Sequence, residues 1–147
     1  MAARLPSPLL RRLEKAARAA AKAAYAPYSK FFVGAAVLSG SGRIYSGCNV
    51  ENASYGLCQC AERTALFTAV ASGERSIRAV AIFTPTAEAS GPCGACRQAL
   101  SEFGPEALVI STCNSSRRLE STVAALLPAS FGLRNLRKAR RAKRRRR

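Results

Sequence analysis

The 147-residue sequence predicts one α/β domain in which a mixed β-sheet lies between layers of helices. Three observations lead to this fold class. An early strand hairpin is followed by strands that alternate with helical segments, in the order αββαβαβ. Residues 79–84 (AVAIFT) are apolar up to the final Thr84, which is typical of a strand that is covered on both faces. Hydrophobic residues make up 48% of the chain, enough for one core.

The first elements are a helix and a hairpin. Residues 7–24 carry an apolar stripe at helical spacing with basic residues opposite, and Pro27 follows this helix. Residues 31–38 and 43–50 have the composition of short strands, and the turn SGSG joins them. This part of the chain therefore predicts a helix followed by a β-hairpin.

The remaining elements alternate between helix and strand, with Gly or Pro marking several of the boundaries. In chain order they are helix 61–71, strand 79–84, a helix from GPCG at 91–94 to about 103, strand 107–112 and helix 122–127. Strands joined through helices are predicted to run parallel, whereas the hairpin is antiparallel, so the sheet should be mixed.

The charge of the chain is unevenly distributed. The sequence has 24 Lys and Arg residues against eight acidic residues, and ten of the basic residues fall within 134–147, which contain no acid. Residues 1–133 therefore hold 14 basic and eight acidic residues, a net charge of +6. We expect a single folded domain over 1–133 and a disordered basic tail over 134–147. The tail is compatible with a solvated extension, with nonspecific nucleic-acid contact or with a nuclear address.

The cysteines point to metal chemistry. No apolar run is long enough for a membrane span and no secretory pattern is present, so we expect a protein of the reducing cytoplasm. The arginine-rich first helix is also compatible with an organellar transit peptide. In a reducing compartment, six cysteines that include a Cys-x-x-Cys favour a metal or redox site over disulfides. The chain has no histidine, so acid–base chemistry near neutral pH falls to glutamate, cysteine or metal-activated water.

Three cysteines lie at predicted helix starts. Cys60 precedes helix 61–71, and Cys93 and Cys96 open the next helix. Free amide groups and the helix dipole favour thiolates at such positions. If the two helix starts meet, three thiolates converge and leave a fourth position open for water, as in catalytic zinc sites. Cys58 or Cys113 could instead close the site as a fourth ligand of a structural zinc.

Glu62 favours the catalytic alternative. It follows Cys60 by two residues, so it can face the same metal without binding it. The combination of CAER at 60–63 with PCGACRQ at 92–98 matches the zinc deaminase signature in its three-cysteine form, in which the glutamate transfers protons.

These motifs resemble the cytidine deaminase family in its small, homotetrameric, three-cysteine form. The resemblance extends from Tyr25 to about Phe131 and is carried by YAPYSKFFVGAA, GCNVENASYG, CAERTAL, GPCGACRQAL and LLPASFG. It implies a three-layer α-β-α sandwich with a five-stranded mixed sheet, whose fifth strand lies near 117–121. It also implies hydrolytic deamination of free cytidine and deoxycytidine to uridine and deoxyuridine in pyrimidine salvage, with one zinc per subunit.

The resemblance assigns roles at the metal. Its three zinc ligands correspond to Cys60, Cys93 and Cys96. Glu62 corresponds to the proton shuttle. Arg63 corresponds to an arginine that withdraws charge from a ligand thiolate, and Gln98 is expected to assist it. Arg97 receives no role and is expected to be solvated or to lie behind the site.

The resemblance also assigns roles toward the nucleoside. Asn49 and Glu51 correspond to the pair that hydrogen-bonds the ribose 3′-hydroxyl, although they could merely pin the turn after a strand. Phe31 corresponds to the aromatic residue beside the pyrimidine, with a core position as the alternative. Ala61 supplies a backbone contact to the base.

Further residues are expected to act across subunit boundaries. Ala53 and Tyr55 correspond to the segment that a neighbouring subunit contributes to the ribose end of the site. Phe131 corresponds to an aromatic residue that covers the neighbour's pocket, with a core or interface position as the alternative. Beside these, the remaining cysteines are interpreted as small apolar packing residues: Cys48, Cys58 and Cys113.

Two rival functions remain at this point. Related deaminases act on aminonucleoside antibiotics or on cytosine in polynucleotides, and the basic tail would suit a polynucleotide. The ENASYG segment belongs instead to the group that acts on free nucleosides. The second rival is a nucleic-acid-binding protein with a structural zinc, which would leave Glu62, Asn49 and Glu51 unexplained.

Overall fold

A five-stranded mixed sheet forms the centre of the computed structural model, which describes residues 5–137. Its strands are β1 (Gly34–Ser39), β2 (Ile44–Cys48), β3 (Ile77–Phe83), β4 (Leu108–Thr112) and β5 (Arg118–Thr122). The strand order is β2-β1-β3-β4-β5, and β3 and β4 are the parallel pair. The fifth strand lies close to the expected 117–121.

Helices cover both faces of this sheet. They are α1 (Ser7–Ala20), α2 (Ala61–Ala71), α3 (Gly94–Phe103) and α4 (Val123–Leu126). The predicted helix 7–24 ends earlier as an α-helix and continues as a 3₁₀ turn over Ala21–Ala23. Within residues 5–137, no helix combines the length and the apolar character that crossing a membrane needs.

The alternation of side chains along β1 produces two separate cores. Ala35 and Val37 pack in the core beneath α2 and α3. Ala36 and Leu38 point to the other face and pack in the core beneath α1. Every residue of β1 is buried, as expected for a strand that is covered on both sides.

Two glycines let the helices approach the sheet closely. A Cβ atom on Gly34 of β1 would lie 2.0 Å from the carbonyl oxygen of Ala17 in α1. A Cβ atom on Gly47 of β2 would lie 2.4 Å from the amide nitrogen of Ala65 in α2. No side chain fits at either distance, and the contact at Gly47 fixes the helix that starts with the predicted site residues.

The strand predicted from residue 31 begins only at Gly34. Lys30 has a φ of 58°, a left-handed conformation that interrupts an extended chain. Val33 donates its amide hydrogen to the Asn49 side chain and not to a neighbouring strand. Phe31 is thereby left outside the sheet.

Residues 133–137, the last that the structure describes, are helical, and their side chains are exposed. The asparagine amide of Asn135 accepts a hydrogen bond from the Gly132 nitrogen at 2.9 Å, which caps this helix. These helical residues differ from the disorder predicted over 134–147, and the rest of that predicted tail lies outside the described residues.

Candidate active site

The starts of α2 and α3 meet at one edge of the sheet. A short link joins α2 to β3, so α2 runs antiparallel to that strand and begins beside the strand's carboxyl end. A ten-residue loop joins the end of β3 to the start of α3, which leads to the parallel strand β4. This topology brings together the two segments that carry the predicted metal ligands.

Three cysteine sulfur atoms converge at this edge. Cys60 is the N-cap of α2, Cys93 is the N-cap of α3, and Cys96 lies in the first turn of α3. Their sulfur atoms all lie within 4.8 Å of one another, and those of Cys60 and Cys93 are 3.8 Å apart. The expected convergence of the helix starts is therefore present.

The donor set fits zinc. The pKa of the Cys60 thiol is lowered to about 5, first by a hydrogen bond with the Cys96 thiol and then by Arg63, whose Nη2 lies 3.8 Å from the Cys60 sulfur. The same hydrogen bond is the main cause that raises the pKa of the Cys96 thiol, and burial adds to this effect. A cluster of soft sulfur donors that already stabilises a thiolate is a suitable ligand set for zinc.

The other cysteines do not join this cluster within residues 5–137. The Cys58 sulfur accepts a hydrogen bond from the Asn52 amide at 3.3 Å. Cys113 is buried, and its thiol faces the carbonyl oxygen of Arg117 at 3.2 Å. The alternative of a structural zinc closed by Cys58 or Cys113 therefore has no geometric support.

Glu62 is a buried carboxyl group beside the sulfur cluster. Its side chain lies in the first turn of α2, and the residue is only 6% exposed. Burial is the main cause that raises its pKa, and the negative charge on Cys60 adds to this effect. A carboxyl group whose pKa moves toward neutrality can both accept and donate a proton at physiological pH.

One pocket joins the sulfur cluster to part of the predicted substrate site. It has a volume of about 190 Å³. The predicted residues that line it are Phe31, Asn49, Cys60, Ala61, Glu62 and Cys93. A larger depression of about 460 Å³ lies between α1 and the β4–β5 edge, where Leu5 and Arg118 line it. It lies away from the sulfur cluster, so we assign the site to the smaller pocket.

The Asn49 side chain braces the segment that carries Phe31. Its Nδ2 donates to the Phe31 carbonyl oxygen at 2.7 Å, and its Oδ1 accepts from the Val33 nitrogen at 2.8 Å. These bonds replace strand pairing at this point and hold Phe31 against the pocket. These bonds hold the segment before β1 and not the turn after β2. The turn-pinning alternative therefore gains no support from them, and the ribose contact of Asn49 stays a prediction.

The Glu51 carboxylate braces the same segment from a separate depression. It accepts hydrogen bonds from the backbone nitrogens of Tyr28, at 2.9 Å, and Ser29, at 3.2 Å, and from the Ser29 hydroxyl. The Ser29 hydroxyl is the main cause that lowers the pKa of Glu51. Glu51 and Tyr55 line this depression, not the pocket of the sulfur cluster.

The residues predicted to act across subunits are exposed in the single chain. Tyr55 is 70% exposed and Phe131 is 60% exposed, and Ala53 is exposed as well. None of the three lines the pocket of its own chain.

Two neighbouring residues of α3 make contacts that the sequence analysis missed. Gln98 Nε2 donates to the Phe131 carbonyl oxygen at 2.9 Å, so the help that it was expected to give to the thiolates has no supporting contact here. Arg97, which received no role, donates to the carbonyl oxygens of Pro92 and Leu126. The available signal was the position of Arg97 four residues after Cys93, because helical side chains point back toward the helix start.

Comparison with known proteins agrees with this geometry. Residues 9–112 match the family model described as the cytidine and deoxycytidylate deaminase zinc-binding region. A cytidine deaminase of Sporosarcina psychrophila is 48% identical over 114 residues, which cover 77% of this chain and 84% of the relative. A cytidine deaminase of Mycobacterium tuberculosis (strain H37Rv) is 44% identical over 122 residues, which cover 83% of this chain and 89% of the relative.

Solved structures show the same fold. The crystal structure of cytidine deaminase from Burkholderia pseudomallei has 48% identity and a TM-score of 0.79, with 82% of this chain and 98% of that chain covered. That of cytidine deaminase from Mycobacterium tuberculosis has 39% identity and a TM-score of 0.71, with 84% and 98% covered. The fold and the sulfur cluster thus define an α/β protein of a zinc-binding family, with three clustered cysteines that can hold the metal. The chain belongs to the cytidine and deoxycytidylate deaminase family, and the predicted fold class is confirmed.

Proposed function

We propose that this protein is a zinc-dependent cytidine deaminase of pyrimidine salvage. It would hydrolyse free cytidine and deoxycytidine to uridine and deoxyuridine and release ammonia. The observation that carries this proposal is the buried Glu62 in the same pocket as Cys60 and Cys93, whose sulfur atoms cluster with that of Cys96. The relatives named cytidine deaminase, at 44% and 48% identity, support it.

The chemistry divides between one zinc per subunit and Glu62. When the three thiolates hold it, zinc supplies the Lewis acidity that activates water at neutral pH. Glu62 accepts a proton from the attacking water and delivers it to the ring nitrogen beside the amino-bearing carbon. It then transfers the second proton of that water to the departing amino group, so that ammonia leaves and the base becomes a uracil.

Arg63 offsets the negative charge of the ligand set. Three thiolates and a divalent zinc sum to a charge of −1, which weakens the metal as a Lewis acid. The Arg63 guanidinium lies 3.8 Å from the Cys60 sulfur and withdraws part of that charge. This contact supports the predicted role of Arg63.

The substrate-binding residues keep capacity for a nucleoside. A carboxylate has about four lone-pair sites, and the three hydrogen bonds to Glu51 leave one for a ribose hydroxyl. The Asn49 amide likewise keeps one hydrogen and one lone pair. Phe31 and Ala61 both line the pocket. This supports the proposal that Phe31 packs beside the pyrimidine and that the Ala61 backbone hydrogen-bonds the base.

Assembly as a homotetramer would complete the site. Tyr55 and Phe131 are large apolar residues that are mostly exposed in the single chain, and such exposure favours an interface. We expect each subunit to cover its neighbour's pocket with Phe131 and to contribute Ala53 and Tyr55 to the ribose end. Light scattering measures the oligomeric state at the concentration of the activity assay. A protein that is monomeric and fully active there would contradict these assignments.

We further propose that the enzyme acts in the cytoplasm, which localisation of the tagged full chain would test.

The ten basic residues within 134–147 support an accessory contact with nucleic acid. Because cytidine is neutral at pH 7, these charges cannot steer it to the pocket. Removal of 134–147 should therefore weaken RNA binding strongly and leave cytidine turnover nearly unchanged. A truncated protein that kept its RNA affinity would exclude this accessory contact.

The decisive experiment measures zinc content and cytidine turnover on the same sample. We expect one zinc ion per subunit. We also expect the absorbance of a cytidine solution to change as the protein deaminates it to uridine. A protein with zinc but no turnover of cytidine or deoxycytidine would contradict the proposal. Parallel assays with an aminonucleoside antibiotic and with a cytosine-containing oligonucleotide would identify the rival substrates.

A further inference from the structure

The Arg97 side chain connects two parts of the chain that are distant in sequence. Its Nε donates to the carbonyl oxygen of Pro92 at 2.7 Å, and its Nη1 donates to the carbonyl oxygen of Leu126 at 3.0 Å. Arg97 is only partly buried, but both hydrogen bonds lie in a part-buried environment.

The first of these contacts supports a wall of the pocket. Pro92 directly precedes the ligand Cys93, and Ser90, Gly91 and Cys93 all line the pocket. A Cβ atom on Gly91 would lie 3.9 Å from the Arg97 Nη2 atom. The guanidinium group therefore lies directly behind residues 90–93.

The second contact holds the segment that leads to Phe131. Leu126 ends α4, and the chain then turns at Ala129, whose φ of 54° is costly for a residue with a side chain. The next residue of α3, Gln98, holds the far end of this segment at the Phe131 carbonyl. Two consecutive side chains of the ligand-bearing helix thus fix both ends of residues 126–131.

We propose that Arg97 is a positioning residue that holds the pocket wall at 90–93 and the Phe131 segment in one geometry. This inference rests on the proposed function, because Phe131 matters only if it covers a nucleoside. Arginine suits the task because its planar group donates from several nitrogens at fixed angles, whereas lysine presents a single ammonium. Loss of the guanidinium would leave two carbonyl oxygens without their charged donor.

The test compares Arg97→Met with Arg97→Lys in the full-length zinc protein. The pocket wall and Phe131 contact substrate and transition state alike, so Arg97→Met should raise KM for cytidine roughly tenfold with little change in kcat. Arg97→Lys can keep one of the two hydrogen bonds, so its KM should lie between the KM of the wild type and that of Arg97→Met. If KM equals the wild-type value in both variants, the proposal is overturned.

Arg75 provides a matched control. Its Nη1 also donates to two backbone carbonyls, those of Val70 and Glu74, each at 2.8 Å, but at the opposite end of α2 from Cys60. Arg75→Met should lower the melting temperature without changing KM. Equal changes of KM in Arg75→Met and Arg97→Met would mean that Arg97 acts through general stability alone, which would overturn the positioning role.

A double variant and a metal assay separate this inference from the proposed function. In a Phe131→Ala background, Arg97→Met should raise KM by a smaller factor than in the wild type, because part of its effect acts through Phe131. If Arg97→Met raised KM by the same factor in both backgrounds, its effect would not act through Phe131.

Transfer of zinc to a chelator should be faster in Arg97→Met than in Arg75→Met, because the loop before Cys93 would be held less firmly. Equal transfer rates in the two variants would contradict the proposed support of residues 90–93 by Arg97. The zinc assay needs no turnover, so it tests Arg97 even if the wild-type protein fails to deaminate cytidine.

Discussion

The two ends of the pocket are built in different ways. At the metal end, Cys60 and Cys93 are caps of regular helices, and the helix backbone fixes where their sulfur atoms lie. At the other end, which we call the ribose end after its proposed occupant, Phe31 and Asn49 lie in irregular segments that side-chain-to-backbone hydrogen bonds hold together. The three clustered cysteines of the metal end come from one chain. Tyr55 and Phe131, which we propose to close the ribose end from a neighbouring subunit, do not line the pocket of their own chain, so we call the ribose end open.

This difference predicts where substitutions act most strongly. A residue at the metal end takes part in the chemistry, so its loss should remove zinc or proton transfer. A residue at the ribose end contributes binding, so its loss should appear mainly in KM.

The largest effect should come from the zinc ligands. Replacement of Cys60, Cys93 or Cys96 by alanine should reduce zinc content toward zero and abolish turnover, because two sulfur donors hold zinc poorly. Elemental analysis of the purified variants measures this directly. Cys58→Ala and Cys113→Ala serve as controls that should keep the metal. Loss of zinc from either control would restore the structural alternative.

The next effect should come from Glu62. Glu62→Gln preserves the size of the side chain but removes its ability to carry protons, so kcat should fall by roughly 10²–10⁴-fold. Zinc content and melting temperature should stay near the wild-type values, which separates lost chemistry from lost structure. Near-normal turnover in this variant would end the proposed mechanism.

At the open end, Phe131→Ala should have a smaller effect of a different kind. Removal of the aromatic ring that we propose to cover a neighbour's pocket should raise KM roughly tenfold while zinc content is unchanged. Leu136→Ala is a suitable control, because Leu136 is also exposed and lies five residues further along the chain. If both variants had the same KM as the wild type, Phe131 would not cover the pocket, and the proposed role of this residue would be contradicted.

The sequence predicted the metal end better than the ribose end, for a physical reason. The helix predicted over 61–71 occurs as Ala61–Ala71, and the sulfur cluster follows from motif positions on two helix starts. Local signals determine such elements. The bonds from Arg97 to Leu126 and from Gln98 to Phe131 join residues 29 and 33 positions apart. No local pattern encodes contacts of that kind, so the sequence could not reveal them.

A second contrast, between two glutamates at opposite ends of α2, yields the smallest predicted effect. Burial raises the pKa of Glu62 beside the sulfur cluster. At the far end, Glu74 accepts a hydrogen bond from the Ser41 hydroxyl at 2.6 Å and pairs with Arg43 at 3.0 Å. The Ser41 hydroxyl is the main cause that lowers the pKa of Glu74, and Tyr45 and Arg43 add to it. Glu74 thus stabilises the fold in its charged form, and it is not among the residues that line the pocket.

Glu74→Gln should therefore lower the melting temperature at pH 7 without changing the kinetic constants for cytidine. A carboxyl group whose pKa is depressed by folding stabilises the protein fully above its unfolded pKa, about 4.3, and that contribution is lost as the pH falls through the folded value. The difference in melting temperature between wild type and Glu74→Gln should accordingly be constant near neutrality and shrink below about pH 4.3. Thermal unfolding at a series of pH values measures it. A difference that grew as the pH fell would mean that the Glu74 carboxylate is not stabilised by folding, and that only Glu62 of this pair is tuned by its surroundings.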